Sequence, residues 1–577
     1  MSDCNFFCKI LCTLILVVAF LVNTVSGWFG GGDIIPTDKY VNGCPYHETT
    51  VEETTTQLTD DTTWAGSTKP LAPINPSSSE PSANTTTTTK PVTTIYTTPA
   101  TTTTTKPTTT RPTTTTATQP TTTRPTTTTT TTKLSTTTTT KKITTTRTTT
   151  TQKSTPDENT KVTLYGKTFN YTFDAIEATV DGGYIACGSL SMSGASQPFV
   201  VKYDKDSTLV WEKKFSSSTS TLFFQDLAVL DNGSVIIAGY EKITDSSQTE
   251  AKGNSEALIY SLSQSDGTVL FSKSFSGKES DLFNTVAATA DNGFVLGGKT
   301  DSSNGDFADS TGTSAVIFSC DSEGNPIWKE YLTGTKGASV GEIATDSSGN
   351  IFVSLLTSST DGDFAGCEEL TGGYIDTVIM KYDENGTRKW DYVIATSGRD
   401  EFAQIAPDGS GGCIIGGYYE LIGIVVPDGT LNGIYNLGGV DSVVFYLNSN
   451  GTLKWRKTLA GINDDYITDI SKSSKGYAIS GYTQSGNRDF APIGNLGGYD
   501  GFACVMNSSG TVTAIFSQGG SGEDAATCIA ARTTNGKFMV AGRTKSIDGN
   551  FEANTNIDPK TNTVKIFTGY VASYTVS

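Results

Sequence analysis

Histidine is the scarcest informative residue of this 577-residue sequence, because it occurs only once, as His47. This position precedes the long region that carries the hydrophobic strands, so a Ser-His-Asp or Cys-His catalytic site is excluded there. The scarcity also argues against zinc or another metal bound through imidazole. Glycine-rich loops that open a helix are missing from the sequence as well. The sequence therefore predicts neither a nucleophilic hydrolase nor a nucleotide-binding enzyme.

Cysteine is present without any metal-binding or redox spacing. None of the ten cysteines stands in a CxxC pair, and Cys44 lies alone in a polar region, where it could link two chains or remain a thiol. We expect the other cysteines after the stalk to be buried thiols, although export from the cell would permit disulfides. These six residues are Cys187, Cys320, Cys367, Cys413, Cys504 and Cys528.

Acidic residues are missing from residues 84–156, where threonine, proline, lysine and arginine dominate. Such a segment has no apolar period and predicts an extended stalk over residues 84–160. In a eukaryotic secretory pathway the stalk would be O-glycosylated and mucin-like, whereas in a bacterium it would be a plain linker. The net charge of −18 then comes mainly from the rest of the chain. An acidic domain argues against nucleic acid as a partner and suits cations, basic surfaces or neutral sugars.

The one long hydrophobic run lies at the N-terminus, in residues 10–22. The run is short for a membrane span, and small residues follow it, so residues 1–27 are predicted to be a signal peptide cleaved after Gly27. The alternative is an uncleaved signal anchor, with Cys4, Cys8 and Cys12 as acylation sites. Residues 28–83 are predicted to be a disordered polar leader. We expect a secreted or cell-surface protein that contacts the membrane only if the signal remains uncleaved.

The region from Lys161 to Ser577 repeats one unit of four predicted strands. Tight turns such as DGGY at residues 181–184 and GTRKW at residues 386–390 separate the strands, and their glycines supply the positive φ that hairpins need. Seven units predict a seven-bladed, all-β propeller. The first strands begin near Phe173, Leu222, Leu282, Ser339, Glu401, Tyr466 and Ala525.

The seventh unit lacks its fourth strand, because the chain ends after a third strand at residues 567–576. The segment VTLYGKTF at residues 162–169 carries Tyr165 where other units carry their aromatic residue. We expect this N-terminal strand to complete the last blade and to cover an open hydrogen-bonding edge. The propeller domain is therefore predicted to span residues 161–577.

The units resemble the β-propeller repeats of microbial surface proteins in the DGGY turn, the strand-final GGY, the GGYD before the third strand and the GxxxW turn. The resemblance covers residues 161–577 and implies a propeller that displays a binding surface at a cell surface. Quinoprotein dehydrogenases and sialidases have similar turns, but the spacing from Asp383 to Trp390 fits neither family.

A loop of the form T-x-S-x-[ND]-[GR]-[DN]-F recurs between second and third strands, beginning at Thr300, Thr357, Thr483 and Thr544. In a propeller this loop shares one face with the connections between blades, which carry Asp281, Asp400, Asp465 and Asp524. The oxygens of these loops and connections suit Ca²⁺ or, together with nearby tyrosines, a sugar. The alternative is that the repeated Asp, Asn and Gly residues only form turns and cap the chain. The candidate Ca²⁺ or ligand residues are Asp301, Asn304, Asp306, Asp361, Asp363, Asn487, Asp489, Asp548 and Asn550. The nearby tyrosines are Tyr374, Tyr418, Tyr419, Tyr435 and Tyr499.

Two further sets of residues repeat along the chain. The first set consists of tryptophans. They occupy a fixed register within a strand, which favours packing between blades over a carbohydrate platform. The tryptophans are Trp211, Trp328, Trp390 and Trp455. Sequons for N-glycosylation stand at Asn84, Asn170, Asn232, Asn385, Asn450 and Asn507.

These features favour a non-enzymatic binding or adhesion module for an extracellular glycan, protein or surface, projected by the stalk. One alternative is an extracellular carbohydrate-active enzyme with a carboxylate pair. Its candidate acids are Asp306, Asp363, Asp400 and Asp489. The other alternative is a structural coat protein without a discrete ligand. No cofactor other than Ca²⁺ is expected.

Overall fold

The computed structural model describes residues 161–165, 170–192, 195–243, 254–367, 374–420, 429–552, 554 and 567–576. The predicted signal peptide, leader and stalk lie outside these residues, as do Cys44, His47 and Asn84. Within the described part of the chain, no helix is long and apolar enough to cross a membrane.

Seven four-stranded antiparallel sheets form the blades of a propeller. Blade 1 contains β2 (Asn170–Ala178), β3 (Tyr184–Met192), β4 (Ala195–Tyr203) and β5 (Leu209–Lys214). Blade 2 contains β6 (Ser220–Val229), β7 (Ser234–Ile243), β8 (Ser255–Ser263) and β9 (Val269–Phe275). Blade 3 contains β10 (Asp281–Ala288), β11 (Phe294–Thr300), β12 (Ser314–Cys320) and β13 (Pro326–Thr333). Blade 4 contains β14 (Ala338–Thr345), β15 (Ile351–Thr357), β16 (Asp376–Tyr382) and β17 (Arg388–Ile394).

The remaining blades follow the same order. Blade 5 contains β18 (Arg399–Pro407), β19 (Cys413–Glu420), β20 (Val440–Leu447) and β21 (Leu453–Leu459). Blade 6 contains β22 (Asp465–Ser473), β23 (Gly476–Thr483), β24 (Asp500–Met506) and β25 (Val512–Gln518). Blade 7 contains β26 (Asp524–Ala531), β27 (Lys537–Thr544) and β28 (Thr568–Thr575) together with β1 (Lys161–Tyr165). Short 3-10 helices follow the second strands of blades 3 to 7: η1 (Gly305–Phe307), η2 (Gly362–Phe364), η3 (Gly429–Leu431), η4 (Arg488–Phe490) and η5 (Gly549–Phe551). The predicted seven-bladed all-β fold is confirmed.

The last blade is closed by the N-terminal strand, as predicted. β1 pairs antiparallel with β28, from Lys161 opposite Ser573 to Tyr165 opposite Gly569. Val162 and Leu164 of β1 pack against the hydrophobic cluster of blade 7. Pairing the first strand with the last covers the edge that β28 would otherwise expose.

Every innermost strand carries a β-bulge, which bends it around the propeller axis. In four blades a polar side chain in the bulge or just after it accepts a hydrogen bond from the innermost strand of the next blade. The backbone donors and their acceptors are Val286 to Asp226 (2.9 Å), Ile343 to Thr285 (3.2 Å), Ile405 to Glu342 (3.3 Å) and Ile529 to Asp469 (2.8 Å). These bonds join successive blades close to the axis.

The tryptophans of the outermost strands join the blades at their rim. The Trp390 indole donates to the carbonyl of Ser449 at 3.0 Å, and a β-carbon on Gly451 (φ +80°) would lie 2.8 Å from the Trp390 ring. Trp211, Trp328 and Trp455 likewise donate to Gln264, Glu384 and Ser508 of the following blade. The predicted packing between blades is confirmed.

The six cysteines of the described chain are thiols, and all but Cys367 are buried in strands. This agrees with the expected buried thiols at five of the six positions, while Cys367 is only half-buried, because it follows η2 at the surface.

Candidate functional site

The two ends of the propeller differ in what they present. One end, which we call the loop face, carries the loops between second and third strands and the connections between blades. The opposite end, the turn face, carries the short hairpin turns that join first to second and third to fourth strands. Hydrogen bonds link loop and connection directly, as in the Ser276 amide that donates to Asp306 at 2.9 Å. The prediction that these loops and the connections between blades share one face is therefore confirmed.

The first carboxylate of a blade is buried beneath its loop. Asp524 accepts hydrogen bonds from Thr544 (2.6 Å), Ser546 (2.7 Å) and the Gly520 amide (2.8 Å). Asp281 and Asp465 repeat this arrangement in blades 3 and 6, so the T and S of the loop motif hold a carboxylate of the preceding connection. The donors are Thr300, Ser302 and Gly277 to Asp281, and Thr483, Ser485 and Gly461 to Asp465.

Blades 4 and 5 carry only part of this arrangement. In blade 4, Ala338 stands where blades 3, 6 and 7 have aspartate, and the Thr357 and Ser359 hydroxyls donate to the Gly337 carbonyl instead, at 2.8 and 3.2 Å. In blade 5, Tyr419 replaces the threonine opposite Asp400, and Asp400 accepts from the Thr396 amide and hydroxyl at 2.6 and 2.7 Å.

The side chains at the later Asp and Asn positions of the motif accept hydrogen bonds from backbone amides of the neighbouring connection. Asp361 and Asp548 accept from the amides of Thr335 and Ser521 at 2.9 and 2.7 Å. The last such position of each motif does the same, with Ser276 to Asp306 (2.9 Å), Thr333 to Asp363 (2.7 Å), Ala460 to Asp489 (3.0 Å) and Gly519 to Asn550 (3.1 Å). These side chains cap the connection between blades.

The remaining predicted ligand positions are Asp301, Asn304 and Asn487. Asp301 forms a salt bridge with Lys299 at 3.3 Å and accepts from Thr313 at 2.8 Å. Asn304 and Asn487 precede η1 and η4, and the buried Oδ1 of Asn487 has no hydrogen-bond partner among the described residues. Across the described chain, no three acidic, histidine or cysteine side chains come together as a metal site would require. Calcium binding stays a prediction.

The four acids suggested for a carboxylate pair come from four different blades. Each accepts a hydrogen bond from a backbone amide, at distances from 2.6 to 3.0 Å: Asp306, Asp363, Asp400 and Asp489. Their oxygens are directed to the connections between blades, so the geometry offers no observation that favours the enzyme hypothesis.

Further aspartates begin third strands and lie close to the buried first carboxylates. Asp441 and Asp500 are fully buried and accept from the Leu437 and Leu496 amides, both at 2.5 Å. Burial, the largest cause, raises the pKa of Asp441 and Asp500 to about 6. Burial likewise raises the pKa of Asp465 and Asp524 to about 7, with repulsion from Asp441 and Asp500 adding to the effect.

Four tyrosines of blades 5 and 6 pack together at the loop face, and we call them the tyrosine cluster: Tyr418, Tyr466, Tyr482 and Tyr499. Tyr466 stacks on Tyr482 with centroids 4.7 Å apart, and Tyr418 and Tyr499 meet them edge-on at 5.0 and 5.3 Å. Tyr418 and Tyr482 are buried, while Tyr466 and Tyr499 are half-buried.

Charged groups anchor this cluster. The Tyr418 hydroxyl donates to Glu401, to which Arg399 Nε also donates at 2.6 Å. The Tyr499 hydroxyl donates to Asp464 at 3.4 Å. Burial raises the pKa of Tyr499 to about 12 and that of the other three further, so all four hydroxyls remain protonated donors.

Exposed apolar side chains lie in the blade 5 loop, the connection between blades 5 and 6 and the blade 6 loop. The half-buried Tyr466 follows this connection in β22, and Tyr499 ends the blade 6 loop. Tyr435, Ile462 and Leu496 are 70%, 53% and 54% exposed. Their segments are linked, because Gly439 and Val440 donate to Asp464 at 3.2 and 3.1 Å. We call this surface the junction patch: Tyr435, Ile462, Tyr466, Leu496 and Tyr499.

The other predicted tyrosines lie elsewhere. Tyr419 is fully buried in the core between blades, and Tyr374 is exposed on the loop face of blade 4. Tyr466 and Tyr482 were missed, because within a strand they match the pattern of core residues. Their position one residue from a strand end at the loop face is the signal that could have found them.

A cavity of about 420 Å³ lies on the axis and is lined by the innermost strands of the seven blades. Its wall mixes aliphatic side chains with carboxylates, amides and amines, including Glu177, Asn284 and Lys472. The cavity is within the size range of small-ligand pockets.

The fold and its loop face define a seven-bladed β-propeller of the kind that serves as a binding or scaffold module. No family model matches the chain, and no curated protein matches it in sequence. Among solved structures, it is similar to the β-propeller domain of Cps50 (Swd1) from Myceliophteria thermophila, at 8% identity and a TM-score of 0.38 over 72% of this chain and 100% of that one.

Two further solved structures show a comparable likeness. One is a protein of unknown function from Dyadobacter fermentans, at 10% identity and a TM-score of 0.37 over 72% of this chain and 99% of that one. The other is Sqt1 from Chaetomium thermophilum, at 12% identity and a TM-score of 0.35 over 66% and 95%. Values this low carry no argument about function.

Proposed function

We propose that this chain is a non-enzymatic, extracellular binding module whose junction patch takes a glycan, and that the threonine-rich stalk projects the propeller from a cell surface. The observation that supports the proposal is the junction patch, whose half-buried tyrosines and exposed apolar side chains lie in neighbouring loops and connections of the loop face. Aromatic and aliphatic faces pack on the C–H surfaces of a sugar, and Asp464 beside them offers hydrogen-bond acceptors to its hydroxyls.

The positions of the sequons support the choice of the loop face. Asn232, Asn385, Asn450 and Asn507 all lie in hairpin turns of the turn face, whereas Asn170 begins β2. Glycans attached in those four turns would surround the turn face and leave the junction patch open.

A glycan array tests this proposal with the full-length chain, probed with Ca²⁺ and again with EDTA. Tyr435→Ala should lower binding to the best glycan by about tenfold, because it removes the most exposed ring of the patch. Tyr374→Ala is the matched control, an exposed tyrosine on the same face in another blade, and should bind as the unchanged chain does.

Three outcomes would contradict the proposal: no glycan bound, equal losses in the two variants, or release of a cleaved sugar product. A signal that disappears with EDTA would support the predicted calcium site in addition to the patch.

A further inference from the structure

The blade 6 loop differs from the other loops of the loop face at one backbone position. The residue that begins each short 3-10 helix has a positive φ, between +51° and +62°, in all five loops. Four of these residues are glycine and the fifth is arginine: Gly305, Gly362, Gly429, Gly549 and Arg488. A side chain in this left-handed region costs free energy that glycine avoids. The fold itself therefore favours glycine here and gives no reason for the arginine.

Arg488 also differs from the other arginines in what its side chain contacts. The side chain is exposed, and within the described part of the chain its guanidinium forms neither a hydrogen bond nor a salt bridge. The other five arginines of this part each have a partner: Arg388 (Asp391), Arg399 (Glu401), Arg456 (the Thr430 carbonyl), Arg532 (the Thr179 carbonyl) and Arg543 (the Phe567 ring). The planar set of N–H donors of Arg488 is left to solvent or a ligand.

Asn487, the residue before Arg488, departs from the other loops as well. At the same position Asp361 and Asp548 accept amides of the neighbouring connection, at 2.9 and 2.7 Å. The buried Oδ1 of Asn487 lies against the connection that carries Ile462 but has no hydrogen-bond partner among the described residues. Two successive residues of this loop thus do not follow the pattern that holds the other loops to their connections.

Arg488 lies close to the segments that form the junction patch. Its own loop carries two members of the patch. In the segment that carries Tyr435, the Leu437 amide donates to the buried Asp441 at 2.5 Å. Burial, the largest cause, raises the pKa of Asp441 to about 6, and the positive charge of Arg488 opposes this rise. The exposed guanidinium therefore stands beside the tyrosine and aliphatic side chains of the patch.

We propose that Arg488 makes the junction patch selective for an acidic glycan, by binding a carboxylate or sulfate group of the sugar. This inference rests on the proposed glycan-binding function and names the class of glycan. A guanidinium binds such a group through two charge-assisted hydrogen bonds, while the rings and aliphatic side chains contact the C–H faces of the sugar.

The acidity of the domain does not prevent this contact. The neighbouring carboxylates already accept hydrogen bonds from backbone amides: Asp441, Asp464 and Asp489. Charges farther away than about 10 Å are largely screened at physiological salt. Direct contact with Arg488 therefore decides between a neutral and an acidic sugar.

A glycan array of the full-length chain tests the inference when each neutral core is printed beside its acidic forms. Lactose, 3′-sialyllactose and 3′-sulfolactose are one such set. The acidic members should bind at least about tenfold more strongly than the neutral core. The carboxylate and sulfate forms distinguish the two sources of negative charge.

Variants of Arg488 separate ligand binding from a structural role. Arg488→Gln should lower the affinity for the acidic glycan by about tenfold and leave that for the neutral core unchanged. Arg388→Gln, at an exposed arginine on the rim of blade 4, is the control and should bind as the unchanged chain does. Arg488→Gly should also lose the preference, yet it should raise the melting temperature by about 1 to 3 °C, because glycine adopts the positive φ without strain.

The results separate this inference from the function on which it rests. Equal binding of neutral and acidic sugars, with Tyr435→Ala still lowering both, would overturn the role of Arg488 and keep the glycan-binding function. Equal losses for neutral and acidic sugars in Arg488→Gln, or a lower melting temperature of Arg488→Gly, would also overturn it, since both indicate a structural role. An array on which no glycan binds would contradict the glycan-binding function itself and this inference with it.

Discussion

At the scale of single residues, the repeated polar side chains of the loop face serve mainly to hold the connections between blades. Asp524 illustrates this, since two hydroxyls and one amide donate to its carboxylate beneath the surface. A repeated residue thus marks a repeated geometry, whereas the five side chains of the junction patch belong to blades 5 and 6 and the connection between them. Ligand recognition is better sought where the blades differ.

Trp390 tests the packing of the rim. Trp390→Ala should lower the free energy of unfolding by about 2 kcal/mol, because it removes a half-buried ring from Gly451 together with the indole donor to Ser449. Trp390→Phe should cost about 1 kcal/mol, since it retains most of the packing and loses the hydrogen bond. Denaturant unfolding of both variants measures the difference, and equal stabilities for the two would contradict the role given to the indole.

The sequence predicted the residues of the loop motif but not their partners. Thr300 and Asp281 are 19 positions apart, and only the fold brings the hydroxyl to the carboxylate. A partial copy of the loop in blade 5 was missed, because Leu431 replaces the phenylalanine of η1 and Tyr419 stands where the motif has threonine. The tyrosine cluster was missed in part, since strand tyrosines match core residues in sequence.

At the scale of elements, the loop-face ends of the first and third strands bury a set of protonatable carboxylates. Asp281, Asp441 and Asp500 have pKa values raised to about 6 by burial, and Asp465 and Asp524 to about 7. In an unfolded chain an aspartate has a pKa of about 3.9. Folding therefore favours the protonated form of these five groups.

This difference predicts how stability depends on pH. A raised folded-state pKa contributes stability that is fully present below about pH 4 and is lost as pH rises through 6 to 7. Aspartates with lowered pKa values, such as Asp383 beside Lys389, are ionised in both states above about pH 5 and do not oppose the trend. The melting temperature should fall by on the order of 5 °C between pH 5 and pH 8.

Differential scanning calorimetry at the two pH values measures this fall. Asp524→Asn removes one of the titrating groups and should reduce the fall, even though it lowers the melting temperature overall. A melting temperature that rises from pH 5 to pH 8 would contradict the assignment of these carboxyls.

β1 tests the closure of the ring. Deletion of Lys161–Tyr165 should lower the melting temperature by on the order of 10 °C, because it exposes the edge of β28 and removes Val162 and Leu164 from their cluster. Deletion of five threonines, residues 126–130, shortens the chain equally and should have no effect. Equal melting temperatures for the two deletions would show that β1 does not close the ring.

At the scale of the whole molecule, the sequence predicted the architecture well. Turn glycines such as Gly386 mark the hairpins, and the missing fourth strand of the last unit points to VTLYGKTF at the other end of the chain. The axial cavity could not be predicted, because its wall takes a few residues from each of seven distant strands. Glu177, Asp226 and Asp469 of this wall, for example, come from blades 1, 2 and 6.

Hydrogen–deuterium exchange with the glycan selected on the array tests the central claim, that ligands bind at the loop face between blades 5 and 6. The account predicts slower exchange in residues 435–440, 462–466 and 496–499 when the glycan is bound, and unchanged exchange in the turn at residues 384–387. Protection confined to the turn face or the outermost strands, with the three junction segments unchanged, would contradict it.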